Sequence, residues 1–477
     1  MMRMARILAA GAAFSYLTLA AMPAYADTTG DLLRKLLEKG ILTQAEYDEL
    51  SARQTQQPAA VAAPPASADA VQVTTAAPAQ PQQAAAAALD DKRGVRMTES
   101  GVGFEMAGVT LKFSGSVNGF YVHDSGDAAT AANTVDGGLA SVGPKSSSVR
   151  NGLLPGFLKV DVTTNQGGWD VGAHFGMYPG IDSVSGIGGA NSGGTPQALA
   201  TSGIDFRQTY LTFGKASFGE VKIGRDIGLF GSDAILNDIT LLSVGSAAGN
   251  AAPSNTSLGR IGLGYIYTDF QPQITYTTPK FGGVQIAVGA FQPLVTIGND
   301  EVNSAPGFQG KVSYDGKFDA FTTHLWASAV IQKHDGILGD PSYTGRAFDV
   351  GAKLGLGPVG VTGYYYDGTG VGTTGLFILS TAANGRRRDS HGFYVQGTYA
   401  IGKLTLGTSY GASYLDLAQG EINPTLLRKN GSWVGQARYG LTPWVTLVSE
   451  YVHTKAEAQG GNDAASDAIA AGAILFF

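Results

Sequence analysis

The sequence contains no cysteine among its 477 residues, so disulfide bonds and thiolate metal sites are excluded. Basic charge is not in excess either: 32 Lys and Arg stand against 38 Asp and Glu, which argues against a nucleic-acid partner. Beyond the N-terminus, no segment approaches the roughly 18 to 20 apolar residues of a membrane helix. The 6 His show no metal-ligand spacing, and no convincing catalytic constellation is found. The sequence therefore predicts no catalytic residues, no cofactor and no metal.

The first 26 residues have the pattern of a secretory signal peptide. Arg3 and Arg6 precede an apolar run over residues 7–21, and residues 24–26 form a small-residue cleavage site. The run is short and no basic stop-transfer cluster follows it, which argues against a membrane anchor. Cleavage would start the mature chain at Asp27 and remove two Arg, leaving 30 basic against 38 acidic residues, a net charge of −8. The pattern predicts export from the cytoplasm.

The chain ends in a segment with a period of two. Between residues 465 and 477 the apolar residues fall on alternate positions: Ile469, Ala471, Ala473, Leu475 and Phe477. This period predicts a strand with one apolar face. A terminal strand with a final aromatic residue resembles the outer-membrane β-barrels of Gram-negative bacteria. The resemblance implies that this strand seals the barrel, and that Phe477 belongs to the signal read by the barrel assembly machinery.

Strand-like alternation recurs sixteen times between residues 109 and 477, with short and long connections in turn. The long connections are expected at residues 124–150, 179–203, 228–260, 293–308 and 367–390. Short turns on one side and long loops on the other are typical of outer-membrane barrels. The sequence therefore predicts an all-β transmembrane fold, a 16-stranded antiparallel outer-membrane β-barrel. Residues 261–267 fit either the start of the sixth strand or the end of the loop before it.

The part that precedes the barrel divides into three segments. We expect a signal peptide over residues 1–26, a helical oligomerisation segment over 27–53, and an Ala/Pro/Gln-rich linker over 54–104 before the barrel of 105–477. The helical segment places Leu33, Leu36 and Leu37 on one face and is too short to be stable alone. Its residues 36–47 resemble the N-terminal segment of the phosphate-selective porin O/P family. We expect a periplasmic arm, coiled-coil or otherwise trimerising, within reach of peptidoglycan.

Residues 218–225, Phe-Gly-Glu-Val-Lys-Ile-Gly-Arg, resemble the fifth-strand motif of trimeric porins, which ends in a Gly-Arg pair. In that family the Arg faces the pore, and acids from an inward-folded third loop oppose it. The resemblance implies a constriction with Arg225 on one side and Asp233 or Asp238 of the following loop on the other. We add Arg207 and Lys222 to this set. Alternatively, Arg225 pairs with Asp226 or Asp205 and only stabilises the barrel, and strict alternation from Val221 and Ile223 would turn it outward.

Alternation also selects further residues that should face the lumen. The predicted pore-lining residues are Lys112, Lys159, Asp161, Lys353 and Arg438. The same alternation predicts that four further side chains face the lumen: Asp170, Lys311, Asp349 and Glu450. Most of these are expected to be wall residues in mixed charge networks. Residues 386–388, three Arg in a predicted external loop, would either bridge lipopolysaccharide phosphates or form a solvated loop tip.

Taken together, the chain resembles a proteobacterial trimeric general-diffusion porin with an extra N-terminal segment. The resemblance implies a homotrimer in the outer membrane, in contact with lipid and lipopolysaccharide, that passes small hydrophilic solutes and ions by diffusion. Two alternatives stay open. The channel could prefer anions such as dicarboxylates or phosphate, or the protein could be a structural envelope tether that acts through its N-terminal arm.

Overall fold

The computed structural model describes residues 95–98, 101–181, 204–247 and 256–477. The chain divides into two units, Met1–Ala79 and Gln80–Phe477, and all described residues belong to the second. The predicted signal peptide, the helical segment of 27–53 and most of the predicted linker lie outside the described residues. The predictions made for them, including oligomerisation and the resemblance of residues 36–47, therefore stay predictions.

The described residues form nineteen strands. Their bounds are β1 Val95–Met97, β2 Val102–Met106, β3 Val109–Gly126, β4 Ser146–Arg150, β5 Phe157–Gln166, β6 Trp169–Pro179, β7 Ile204–Lys215, β8 Gly219–Ile227, β9 Phe270–Thr277, β10 Val284–Phe291, β11 Gly307–Phe318, β12 Phe321–His334, β13 Tyr343–Leu356, β14 Val359–Thr369, β15 Asp389–Ile401, β16 Leu404–Leu415, β17 Leu427–Gly440, β18 Val445–Ala458 and β19 Asp463–Phe476. Two short helical elements lie between β8 and β9: α1, Ser232–Asn237, and a 3-10 turn, Ile239–Leu242.

Sixteen of these strands, β3 and β5 to β19, close into an antiparallel barrel. The closure is made by β19 against β3, in a register that runs from Ser466 opposite Gly126 to Phe476 opposite Ser116. Beyond the last register pair, Phe477 and Gly115 exchange two backbone hydrogen bonds of 3.1 Å. The predicted fold and the pairing of the terminal strand with the first are confirmed. The described part of the chain has no helix long and apolar enough to cross a membrane.

Three strands lie outside this ring. β4 pairs with residues 120–124 of β3, while β5 pairs with residues 109–116 of the same strand. β1 and β2 form a hairpin whose second strand pairs with residues 109–113 of β3, on the edge that β19 leaves free. The sequence analysis did not anticipate this hairpin. Its turn to β3 uses Ala107 and Gly108, both at positive φ (52° and 79°), and alanine gives no sequence signal for such a turn.

Residues at alternate positions of each strand lie on opposite faces of the barrel wall. On β19, Ile469 is 58% exposed on the outside, while its neighbours Ala468 and Ala470 are buried towards the inside. Aromatic rings collect at the short-turn end of the outer face: Trp169 lies 5.6 Å from Phe218, and Trp444 lies 6.1 Å from Phe477. An apolar belt edged by aromatic side chains is the expected outer surface of a barrel in lipid.

The connections keep the predicted asymmetry. Within the described segments, the short turns that join barrel strands are residues 167–168, 216–218, 278–283, 319–320, 357–358, 402–403 and 441–444. The opposite ends carry the longer loops, except for the four-residue connection of residues 459–462 between β18 and β19. Because β9 begins at Phe270, residues 261–267 belong to the loop that precedes the sixth barrel strand, and this loop extends over residues 228–269. We refer to residues 228–269 as the inner loop; residues 248–255 of it are not described.

The inner loop folds into the barrel and packs against its wall on two sides. A buried apolar cluster joins Phe230, Ala234, Ile235, Tyr265 and Ile266 of the loop to Trp326, Tyr364 and Tyr394 of the wall. A second cluster joins Val244 and Ala247 of the loop to Phe120, Val448 and Ile474 of the wall. Burial of these side chains gives the loop a fixed position inside the lumen.

Candidate functional site

Two acidic wall residues anchor the inner loop. On β13, Asp349 Oδ2 accepts a hydrogen bond of 2.8 Å from the backbone N–H of Gly231. On β18, Glu450 accepts hydrogen bonds from the N–H of Gly245 at 2.6 Å and from the Ser243 hydroxyl at 2.5 Å. Alternation along β13 and β18 predicts that both carboxylates face inward. In the structure they accept hydrogen bonds from N–H and hydroxyl groups of the loop that would otherwise be buried without a partner.

Three glutamines, absent from the sequence-based candidates, also hold the inner loop. Gln309 Oε1 accepts from the N–H of Leu229 at 2.8 Å, and Gln396 Oε1 accepts from the N–H of Ile239 at 3.0 Å. Gln436 Nε2 donates to the carbonyl of Ile239 at 3.0 Å. Alternation places these residues on the inner face. Because their side chains are uncharged, a criterion based on charge does not select them.

The predicted acids of the inner loop are engaged with the wall or the loop itself. Asp233, on α1, lies 2.8 Å from Lys311 Nζ and 3.2 Å from His324 Nε2. Its side chain is 10% exposed. Among the described residues, no ion pair joins Asp233 to Arg225.

Asp238 also differs from the expected acid that opposes Arg225 across the pore. Its carboxylate accepts from the N–H of Thr240 at 3.0 Å and from the Tyr265 hydroxyl at 3.1 Å, with Arg260 Nε at 3.9 Å. The side chain has no exposed surface. A fully buried carboxylate with these partners holds the loop together and does not face the water-filled lumen, so the expected opposition to Arg225 does not appear in the geometry.

A cavity of about 780 Å³ lies between the inner loop and the wall formed by β5 to β8. The wall contributes its charged residues, which are Lys159, Asp205, Arg207, Arg225 and Asp226. The inner loop contributes an apolar face made by Ile235, Leu236, Leu241, Leu242, Leu258 and Ile261, followed by Tyr267 and Asp269. Residues 374–378 of the loop between β14 and β15 contribute Thr374, Gly375 and Ile378. The charged wall thus faces leucine and isoleucine side chains across the cavity.

Two of the wall carboxylates carry their own cations. Arg207 bonds Asp205 at 3.0 Å, and Lys222 forms an ion pair with Asp226. Asp226 also accepts from Gln208 Nε2 at 2.7 Å. Neither carboxylate forms a hydrogen bond or an ion pair with Arg225 among the described residues, but Arg225 is near enough to Asp205 to stabilise its charge, so the alternative that Arg225 serves barrel stability stays open.

Arg225 and Lys159 line the cavity without an ion pair to any described residue. Strict alternation would turn Arg225 outward, but the preceding Gly224 has φ of +134°, a conformation that residues with a Cβ rarely adopt. The register of β7 and β8 nevertheless continues through Gly224 without a shift, and Lys222 and Asp226, on either side of it, form an ion pair on one face. Arg225 is among the residues that border the cavity. Asp269, at the end of the inner loop, is the third carboxylate of this lining, and it accepts a hydrogen bond of 2.7 Å from the backbone N–H of Phe270.

The other predicted lumen residues are distributed over the wall. Lys112 lies opposite Asp161 in the register of β3 and β5, and Asp161 bonds His174 Nδ1 at 2.6 Å. Lys353 and Arg438 lie on β13 and β17, away from the cavity lining, and neither has an ion pair within the described ranges. Of the predicted set, the cavity brings together Lys159, Arg207 and Arg225.

The three arginines of residues 386–388 tie two loops together. Arg388 makes two bonds with Glu421, at 2.9 and 2.5 Å, and both side chains are nearly buried. Burial opposes ionisation of Glu421, but the bonds from Arg388 and from the N–H of Ala418 outweigh it and hold the pKa of Glu421 below its usual value. Arg387 Nη1 donates to the carbonyl of Thr344 at 2.9 Å. A solvated loop tip therefore does not describe Arg388.

No group of three or more His, Asp or Glu in the described ranges is arranged to hold a metal ion. The lumen offers charged groups, aromatic rings and apolar surface for contact with a solute. A closed barrel with a loop folded inside it and a charged wall beside that loop is suited to solute passage.

Comparison with known proteins gives the family. A family model described as Gram-negative porin matches residues 59–459, more than half of the chain. The chain belongs to the Gram-negative porin family. This membership and the barrel fold make it an outer-membrane channel for passive diffusion, and they point to a channel rather than an enzyme.

Solved structures of similar fold include the outer-membrane channel DcaP of Acinetobacter baumannii, with 18% identity, a TM-score of 0.58, and coverage of 78% of this chain and 99% of that one. OmpT of Vibrio cholerae is 12% identical, with a TM-score of 0.47 and coverage of 80% and 100%. OmpF of Salmonella typhi is 14% identical, with a TM-score of 0.48 and coverage of 78% and 98%. No curated protein is significantly similar in sequence.

Proposed function

We propose that this porin passes small hydrophilic solutes and ions, with a mild preference for anions. The observation that carries the proposal is the cavity beside the inner loop, where Lys159 and Arg225 lack ion-pair partners among the described residues. Asp205 and Asp226 are neutralised by Arg207 and Lys222. The lining therefore offers two cations that form no ion pair, Lys159 and Arg225, against one carboxylate, Asp269, without a basic partner in the part of the chain described. Fixed charges at a narrow, water-filled passage bias the ions that enter it.

We also propose that the functional unit is a homotrimer, on the resemblance of residues 218–225 to the trimeric porins. The outward band of apolar residues supplies the surface for lipid and for neighbouring copies. In planar-bilayer recordings, a trimer would close in three equal steps after each insertion event. Single closing steps throughout would contradict the trimer and leave the channel proposal standing.

The anion preference is tested by charge reversal at Arg225. In Arg225→Glu, the chloride-to-potassium permeability ratio from the reversal potential should fall about two- to fivefold, because two units of charge change within a few ångströms of the path. Lys403→Glu, in the turn of residues 402–403, is the matched control and should shift the ratio less. An unchanged ratio in a correctly folded Arg225→Glu barrel would remove Arg225 from the selectivity site.

A further inference from the structure

The cavity beside the inner loop contains aromatic rings as well as charge. Phe157 lies 5.8 Å from Tyr178 and 6.4 Å from Phe476, and Tyr178 lies 5.9 Å from Phe270, measured between ring centroids. All four rings line the cavity. Four aromatic side chains on the lumen side are unexpected in a passage for hydrophilic solutes, because inward positions of large barrels are mostly polar.

The cations of the wall are placed on these rings. The guanidinium of Arg207 lies 5.2 Å from the Tyr178 ring centroid and 5.9 Å from that of Phe270. Lys159 Nζ lies 5.8 Å from the Phe157 centroid. Each cation therefore sits at the edge of an apolar surface, where a carboxylate could reach it while the rest of the same molecule contacts a ring.

The opposite side of the cavity is apolar. Leu236, at the end of α1, is 54% exposed, and Leu241, Leu242 and Leu258 lie beside it in the cavity lining. An exposed leucine on a loop that is otherwise packed against the wall is surface kept free for contact. The volume of about 780 Å³ falls in the range of roughly 300 to 1,000 Å³ typical of small-molecule sites.

We propose that this cavity selects organic anions with an apolar body, such as aromatic or branched aliphatic monocarboxylates, over inorganic anions and over small hydrophilic carboxylates. The carboxylate is held by Lys159 and Arg225, and the apolar body lies between the aromatic rings of the wall and the leucines of the inner loop. This inference rests on the proposed function, since it names the solute class of the same passage.

The test uses benzoate, acetate and benzylammonium on the full-length mature porin in planar bilayers. The permeability of benzoate relative to acetate should exceed one, although benzoate diffuses more slowly in water. Benzoate should also reduce the potassium chloride conductance in a saturable manner, and benzylammonium, with the same ring and the opposite charge, should do so about tenfold more weakly.

Two substitutions separate the halves of the site. Leu236→Asn removes an exposed apolar contact, and Lys159→Gln removes a cation that has no ion-pair partner among the described residues. Leu236→Asn should lower the benzoate-to-acetate ratio about three- to tenfold, whereas Lys159→Gln should lower the permeability of both carboxylates relative to potassium, because benzoate and acetate share the carboxylate. The matched controls are Ile422→Asn, an apolar loop residue that is 95% exposed outside the cavity lining, and Lys403→Gln. Both should leave the ratio at the wild-type value.

The outcomes are distinct. A benzoate-to-acetate ratio no greater than the ratio of their mobilities in water, in a porin that conducts potassium chloride, would overturn the inference and leave the proposed function intact. An unchanged benzoate-to-acetate ratio in Leu236→Asn would show a plain anion site and also overturn it, as would equal block by benzylammonium. A folded barrel without any potassium chloride conductance would instead contradict the proposed function itself.

Discussion

At the scale of single residues, the lumen wall contains cations that form ion pairs and cations that do not. Arg207 and Lys222 sit beside carboxylates that are almost fully buried, so each cation offsets the desolvation of its partner. Lys159 and Arg225 border the cavity and form no ion pair among the described residues. Lys159 is partly desolvated there, and Asp226 and Asp161 are near enough to stabilise its charge.

Phe477 is the residue whose role is tested by biogenesis. Its ring lies 6.1 Å from Trp444, and its backbone completes the seam with Gly115. Phe477→Asp would place a carboxylate in the lipid-facing band at the seam, so we expect a strong decrease in heat-resistant folded barrel in outer-membrane fractions, seen by gel mobility without boiling. Phe477→Tyr keeps an aromatic ring and should assemble nearly normally. Wild-type amounts of folded Phe477→Asp would refute the assembly role.

At residue scale, alternation alone fixed most inward positions. Lys159, Asp349 and Glu450 were placed on the inner face because successive side chains of a strand point to opposite sides. Arg225 could not be settled in this way, because alternation from Val221 and Ile223 turns it outward, whereas it borders the cavity in the structure. Gln309, Gln396 and Gln436 also lie on inward positions, but their partners are loop backbone groups that only the folded barrel brings near.

At the scale of elements, the inner loop is the feature that shapes the passage. Its length and its place after the fifth barrel strand could be read from the sequence, as could the short turns on the opposite side. Its contacts could not, because they join residues far apart in sequence, such as Gly245 and Glu450. The hairpin of β1 and β2 was missed for a local reason, the weak turn signal of Ala107 and Gly108.

The inner loop should be released by removing its two acidic anchors. Asp349→Ala with Glu450→Ala leaves the N–H groups of Gly231 and Gly245 without acceptors, each at a cost of about 1–3 kcal/mol to the packed position of the loop. The strand ladders keep their hydrogen bonds, so the barrel should still form. We expect larger and noisier single-channel conductance and faster hydrogen exchange in residues 228–247.

The control for that pair is Asp170→Ala. Asp170 lies on β6, accepts a bond of 2.8 Å from Asn165, and has no hydrogen bond to the inner loop among the described residues. Its removal should leave both conductance noise and loop exchange near wild type. If the double variant has wild-type conductance and wild-type exchange, the carboxylates do not hold the loop, and the apolar clusters alone fix it.

At the scale of the whole molecule, the barrel is built mainly from strands that follow one another in the chain. Each barrel strand from β5 to β18 pairs with the next in the chain, and the pairing of β19 with β3 closes the ring. The sequence predicted this architecture well because every strand repeats the same two-faced pattern and every turn reverses the chain. The N-terminal segment of residues 27–53 follows a different pattern and lies outside the described residues, so its role in oligomerisation stays a prediction.

The central claim is that the folded chain is a water-filled channel. Its most direct test is the single-channel conductance of the purified, heat-modifiable barrel in planar bilayers with potassium chloride. We predict discrete insertion steps of uniform size, with a reversal potential that favours chloride modestly over potassium. Folded barrel that inserts into the bilayer and gives no conductance steps would contradict the account.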